Sequence, residues 1–234
     1  MNAAGLVNTI TREQIRRHVI RCLHKGRSVA QADIELLDLE GGRYVLKDFH
    51  SRPPLIRFFW GRRIISREWR VYRRLQGIEG IPRVYRRMDE YAFIMEYIDG
   101  TRVPHRRDCE LKPDFFERLK ILTGRMHERG VTHGDIRRKN TLVTVDQRPF
   151  LIDFASAFCL KRGGNPLSRA IYRRLKKVDE ITVLKIQNHL LPGTLTPGEE
   201  ERLARIPWYL GLGRFLKKKI YRPLKHLIWK RKGK

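Results

Sequence analysis

Asp135, Asn140 and Asp153 are the side chains of this 234-residue chain whose types and spacing point to chemistry. They lie in His133-Gly134-Asp135-Ile136-Arg137-Arg138-Lys139-Asn140 and in Leu151-Ile152-Asp153-Phe154-Ala155. Between the two stretches, Leu142, Val143 and Val145 read as a strand, Asp146-Gln147-Arg148 as a turn, and Phe150, Leu151 and Ile152 as the return strand. A tight hairpin of this kind returns Asn140 and Asp153 to the same end. Two oxygen ligands side by side, with a third carboxylate near them, suit Mg²⁺ and a phosphate better than zinc, because hard cations take oxygen ligands. Asp and Asn also cap turns and strand ends, so the order and spacing of the polar positions carry the reading, not their types alone.

Elements upstream must hold the other half of such a site. Thr11-Arg12-Glu13-Gln14 reads as a capping box opening a short helix. Val19, Ile20 and Leu23 mark a first strand, Ile34 to Leu39 a second and Arg43 to Phe49 a third, with Glu40-Gly41-Gly42 as the turn between the last two. Lys47 follows Val45-Leu46 on the third strand. Ile64, Ile65, Glu68, Val71, Tyr72 and Leu75 share one helical face. Glu68 is therefore an acid on an apolar face, a costly placement unless it is paired, and Lys47 is the natural partner. Ile81 to Tyr85 and Tyr91 to Ile98 read as two more strands, and Leu111 to Gly130 as a helix with Gly130 as its stop. Ser168 to Leu191 reads as one long helix, with Ile171, Leu175, Val178, Ile181, Leu184 and Leu191 inward. The aromatic connection Pro53 to Arg63 reads as core, with lipid contact as its alternative.

H-G-D-x-x-x-x-N followed by I-D-F-A resembles the catalytic loop and metal-binding motif of the protein-kinase-like fold. The resemblance is nearest to its small atypical branches, the lipopolysaccharide (Kdo/WaaP-type) kinases and the RIO family. It implies an α+β, two-lobed fold with a five-stranded antiparallel N-lobe sheet and a minimal, mostly helical C-lobe. The implied division is a lead-in over 1–17, an N-lobe over 18–98, a C-lobe over 99–206 and a basic tail over 207–234. ATP and Mg²⁺ (or Mn²⁺) are the implied cofactors. The resemblance assigns Asp135 to the acceptor's proton, Asn140 and Asp153 to the metal, and Lys47, held by Glu68, to the α- and β-phosphates. Arg137 is placed to stabilise the transferring phosphoryl group. Gly26, the one glycine of the loop after the first strand, is expected to cradle phosphate, and backbone groups around Glu96 and Ile98 to meet adenine. His133 is expected to pack against Phe154 in a structural role. Gly134 stands where many kinases have the arginine that reads a phosphorylated activation loop, so no such switch is expected.

The net charge of +26, from 51 Lys and Arg against 25 Asp and Glu, implies an anionic partner. Cys22, Cys109 and Cys159 show no pairing pattern, which suits a reducing compartment. Arg12, Glu13, Arg16 and Arg17 interrupt any signal-peptide core, so a cytoplasmic protein is expected. From Pro207 to Lys234 there is no acidic residue, and Trp208, Leu212, Phe215, Leu216, Ile220, Leu224, Leu227 and Ile228 run along one side of a basic amphipathic helix, with lysines and arginines on the other. That tail is expected to lie on an anionic membrane surface, peripheral to the inner face, or to pack on the C-lobe. The expected acceptor is a hydroxyl on a sugar-lipid or on a protein Ser or Thr. The reading from another class is a non-catalytic kinase-fold scaffold that binds RNA, a ribosome or a membrane through its basic surface.

Overall fold

The computed structural model describes residues 7, 9–26, 31–161 and 163–205. The expected tail over 207–234, and positions 27–30 of the expected phosphate loop, lie outside the described residues. A short helix α1 (Arg12–Ile15) is capped by Thr11, whose hydroxyl accepts from the Gln14 amide while the Gln14 side chain accepts from the Thr11 amide. This is the capping box legible in the sequence. A 3₁₀ turn (Arg16–His18) leads into β1 (Val19–His24), β2 (Asp33–Leu39) and β3 (Gly42–Asp48). Next come α2 (Pro54–Ile56), a π-helical turn (Arg57–Gly61), α3 (Arg62–Leu75), β4 (Val84–Arg87) and β5 (Ala92–Glu96). The five strands form one sheet in the order β1-β2-β3-β5-β4, every neighbouring pair antiparallel. The chain thus has the α+β fold expected, with its five-stranded antiparallel sheet and a mostly helical remainder. β4 begins at Val84 rather than Ile81, because Pro82 has no N–H to give to a ladder.

Alternation along β3 divides the sheet's two faces. Tyr44 and Leu46 point to one side, where Val7, Ile10 and Ile15 cover them. Residues expected to be a lead-in therefore form the outer layer of the sheet. Val45 and Lys47 point to the other side, where Ile65, Val71, Tyr72 and Leu75 of α3 meet Phe93. Ile64, expected on that face, is only half-buried at its edge.

The second half consists of β6 (Gly100–Arg102), α4 (Pro113–Glu128), β7 (Val131–Thr132), β8 (Thr141–Thr144), β9 (Pro149–Leu151), β10 (Phe158–Cys159), α5 (Pro166–Leu190) and α6 (Pro197–Ala204). β6, β8 and β9 form a small sheet, and β7 pairs with β10. Phe115, Phe116, Leu119, Leu122 and Met126 of α4 are buried as their spacing predicts. The hairpin turns one residue earlier than expected. β8 ends at Thr144, and Val145 stands fully exposed in the turn. On α5, Ile171 is exposed, and burial is concentrated from Asp179 onward. Length explains this: 25 residues span about 37 Å, and the 16 residues of α4 cover only about 24 Å of it.

Candidate active site

Lys47 stands between two carboxylates. Its Nζ donates to Glu68 Oε1 and Oε2, both at 2.7 Å, and to Asp153 Oδ1 at 3.3 Å. β3 supplies the lysine, and the inward face of α3 supplies the glutamate, which is fully buried. An unpaired carboxylate there would cost several kcal/mol, roughly as much as a buried ion loses on leaving water. Burial works against the Lys47 ammonium, but the charges of Glu68 and Asp153 outweigh it and hold it protonated above the usual lysine range. Burial likewise pushes Glu68 up, to about 7, against the pull of Lys47. With both carboxylate oxygens at 2.7 Å from Nζ, we take the charged pair as the ground state. Lys47 in turn holds the Asp153 carboxyl below the ordinary aspartate value.

Asp153 sits in the left-handed region at φ 68°, a conformation that aspartate tolerates better than most residues. The turn is fixed from both sides. The Asp153 amide donates to the Tyr72 hydroxyl at 3.2 Å, and Phe154 beneath it is fully buried between Tyr72 and His133. The Ile152 amide donates to the Asn140 carbonyl at 3.0 Å, so the hairpin delivers Asn140 and Asp153 to one end, as expected from their spacing. Asn140 Nδ2 donates to the Asp135 carbonyl at 2.9 Å and to Asp135 Oδ2 at 3.2 Å. Arg137 Nη2 meets the same Oδ2 at 3.0 Å, with its side chain half in solvent.

The loop that carries Asp135 is anchored from below. Asp179 of α5, buried at 1 % exposure, accepts from the His133 amide at 2.7 Å and from the Gly134 amide at 3.0 Å. Its Oδ2 also lies 3.2 Å from His127 Nε2. His133 spans the hairpin: Nε2 contacts the Ile152 carbonyl at 3.1 Å and the ring packs on Phe154, in the structural role expected. Burial lowers its pKa, which keeps the imidazole neutral. Gly134 has φ +73°, and a Cβ there would come within 2.7 Å of the Ser156 carbonyl oxygen. No arginine fits at that position without moving the segment after Asp153. Sequence reasoning missed Asp179 and the Tyr72 hydroxyl. Asp179 was findable, because an acid on the buried face of a long apolar helix is the same signal that singles out Glu68.

The structure gathers Lys47, Glu68, Asp135, Arg137, Asn140 and Asp153, and it sets Gly26 apart. The Gly26 amide donates to Asp33 Oδ1 at 2.8 Å, and a Cβ there would come within 2.5 Å of the Gln31 carbonyl oxygen. Close backbone approach accounts for a glycine at this position, and its amide is bonded to Asp33. Glu96 ends β5, where its amide donates to the Arg83 carbonyl at 2.8 Å and its carboxylate accepts from the Arg83 amide at 2.9 Å. Ile98 is buried just beyond it, where the sheet passes to the second half of the chain.

The donor set fits a magnesium ion shared with phosphates. The Asn140 amide nitrogen is committed to Asp135, which leaves its oxygen as the atom available to a cation. Lys47 holds one oxygen of Asp153, whose side chain is 42 % exposed. Among the described residues no group of three or more His, Cys, Asp or Glu could cage a metal by itself. One carboxylate and one amide oxygen are what Mg²⁺ takes when phosphate oxygens and water complete its shell.

A family model described as the RIO domain matches residues 59–174. Among solved structures, the fold resembles the Rio2 kinase-ADP/Mg²⁺-phosphoaspartate complex from Chaetomium thermophilum, with a TM-score of 0.52 and 18 % identity over 90 % of this chain and 70 % of that one. Among curated proteins, 71 residues are 31 % identical to a probable bifunctional tRNA threonylcarbamoyladenosine biosynthesis protein of Methanosarcina acetivorans. A protein of the same description from Methanospirillum hungatei is 34 % identical over 74 residues. These alignments take in 30 % and 32 % of this chain but span only 12 % and 13 % of the relatives' lengths. Of the two branches the motifs resemble, the matches give the RIO one. The chain thus has a fold like that of the Rio2 kinase, and over residues 59–174 it is similar to the RIO domain.

Proposed function

We propose that this protein is an ATP-dependent phosphotransferase that moves the γ-phosphoryl group of ATP to a hydroxyl. The observation that carries the reading is Lys47, held against fully buried Glu68 and within 3.3 Å of Asp153, with Asp135 and Asn140 at the hairpin's other strand. Lys47 is placed for the α- and β-phosphates. Asn140 and Asp153 are placed to hold Mg²⁺, which when bound neutralises charge between the phosphates. Asp135 accepts the proton of the attacking hydroxyl as its oxygen bonds to phosphorus and the bond to ADP breaks. Arg137 can leave Oδ2 of Asp135 for the transferring phosphoryl group, since its other side is open to solvent. The ADP and Mg²⁺ named for the Rio2 complex support both the nucleotide and the metal. The acceptor is a hydroxyl on a sugar-lipid or on a protein Ser or Thr.

A second reading, a non-catalytic RNA-binding scaffold, draws on the net charge of +26 and on the tRNA-modification names of the partial relatives. One experiment separates the two. Turnover of labelled ATP with Mg²⁺ is measured for the wild type, Asp135→Ala and Asp153→Ala, with membrane-lipid and protein extracts as acceptors. Transfer that falls roughly 10²–10⁴-fold in Asp135→Ala supports the phosphotransferase, and the labelled fraction names the acceptor. Label on the protein that hydroxylamine releases would mark an aspartyl phosphate, as named for the Rio2 complex. Absence of turnover, together with RNA affinity that falls steeply with salt, would favour the scaffold.

A further inference from the structure

The stretch between Lys47 and Glu68 carries a surface that phosphoryl transfer does not use. Leu55, Phe58, Phe59 and Trp60 are 70 %, 49 %, 52 % and 59 % exposed. Their sequence suggests core, and the structure turns them outward. The π-helical turn Arg57–Gly61 gives the local cause. Its closing bond runs from the Arg62 amide to the Arg57 carbonyl, so one turn holds an extra residue and successive side chains fan out more narrowly. Three consecutive rings thereby share the solvent side. A π-turn is a costly departure from α-geometry, and it recurs at functional positions. Gly61 closes it against Phe49, where a Cβ would come within 3.0 Å of the Phe49 Cβ.

The charge around these rings is mostly positive. Positions 49–67 contain five arginines (Arg52, Arg57, Arg62, Arg63 and Arg67) and no acidic residue. Arg62 lies 5.9 Å from the Phe58 ring centroid, and its ion pair with Glu90 is half-exposed at the patch's rim. Arg63, Arg67, Arg70 and Arg74 of α3 then recur every three or four residues, which places them on one helical face. Among the described residues none of these four forms an ion pair. Arg67 donates instead to the Ala155 carbonyl at 3.1 Å, and Arg74 to the carbonyls of Arg129 and Leu160. Their charge is uncancelled, and the stripe ends on the segment that follows Asp153.

We propose that Leu55, Phe58, Phe59 and Trp60 insert into an anionic lipid bilayer, with the arginines of α3 on its phosphates. Aromatic and aliphatic side chains flanked by cations suit the boundary between acyl chains and headgroups, which offers apolar depth and negative charge together. A protein partner would have to supply both from one face. Binding in this pose brings the headgroup plane along α3 toward Asp153, so an acceptor displayed on lipid meets the site without leaving the membrane. The docking surface stands independently of the phosphoryl chemistry.

The test is flotation of the full-length protein with vesicles of phosphatidylcholine alone or containing phosphatidylglycerol, comparing wild type, Phe59→Ala/Trp60→Ala and Arg63→Glu/Arg70→Glu. The wild type should bind the anionic vesicles at least tenfold more tightly than the neutral ones, and each double variant should lose that advantage at least tenfold. A thermal melt should leave both variants within a few degrees of the wild type, because the altered side chains are largely exposed. A form keeping Trp60 as its single tryptophan should be quenched by brominated acyl chains in anionic vesicles. Unchanged flotation of both variants would overturn the proposal and assign binding to the chain's C-terminal part. A concentration-dependent dimer that Phe59→Ala/Trp60→Ala disperses would overturn it in favour of a second copy, and equal binding to both vesicle types would remove the arginine half.

Discussion

Lys47 and Glu68 form a buried pair whose part in folding can be measured apart from turnover. Removing Lys47 alone leaves a fully buried carboxylate with no counter-charge. Lys47→Met is therefore expected to cost roughly 3–5 kcal/mol of stability in a urea titration, and Lys47→Met/Glu68→Leu to recover most of it. Neither variant should transfer phosphate, which separates the pair's contribution to folding from its contribution to catalysis. Asp153 gives the pH test. Lys47 holds its carboxyl below the ordinary value of 3.8, so the charged form stabilises the fold at every pH above that value. The contribution is lost as pH falls through the lowered folded value. Asp153→Asn should thus be less stable than the wild type at neutral pH, with the gap closing below pH 3.8 in denaturant titrations across that range.

At the scale of elements, the loop that carries Asp135 is held in place by a helix far along the chain. Asp179 takes two backbone amides and a histidine, all in a buried setting. Asp179→Ala leaves both amides without acceptors, at about 1–3 kcal/mol each. Turnover should fall with it while nucleotide affinity, which rests on Lys47 and the sheet, changes less; a kcat against KM comparison checks this. Gly134→Ala tests the same loop from the other side. A side chain there combines a left-handed backbone with a 2.7 Å clash, so roughly 1–3 kcal/mol should be lost in thermal or denaturant unfolding. The clash is with backbone, so no rotamer change relieves it. Helices and strands here were readable from period and caps. Thr11 with Gln14, Pro113 at the start of α4 and Gly130 after its end all act as their residue types predict. Two element-level readings were limited by length. Val145 falls in the turn because the hairpin is short, and Ile171 is exposed because α4 covers only part of α5.

For the whole molecule, the sheet is a middle layer, covered on one face by α3 and on the other by the chain's first residues. Ile10 and Ile15 are 1 % and 3 % exposed. Ile15→Ala should therefore cost about 2–4 kcal/mol, measured by denaturant unfolding, although the residue lies far from the site. The sequence by itself paired Lys47 with Glu68 and brought Asn140 back to Asp153, because an acid on an apolar face demands a partner and a hairpin of fixed spacing returns its two ends together. It also determined the sheet's strands and the helices that flank it. Only the tertiary structure decided the rest. Whether an apolar residue is covered depends on what else reaches it. Leu55, Phe58, Phe59 and Trp60 face solvent, whereas Val7, Ile10 and Ile15, scattered among polar residues, close a core. Gly26 shows the same at a single residue: its type leaves the partner of its amide open, and the fold brings Asp33 to it.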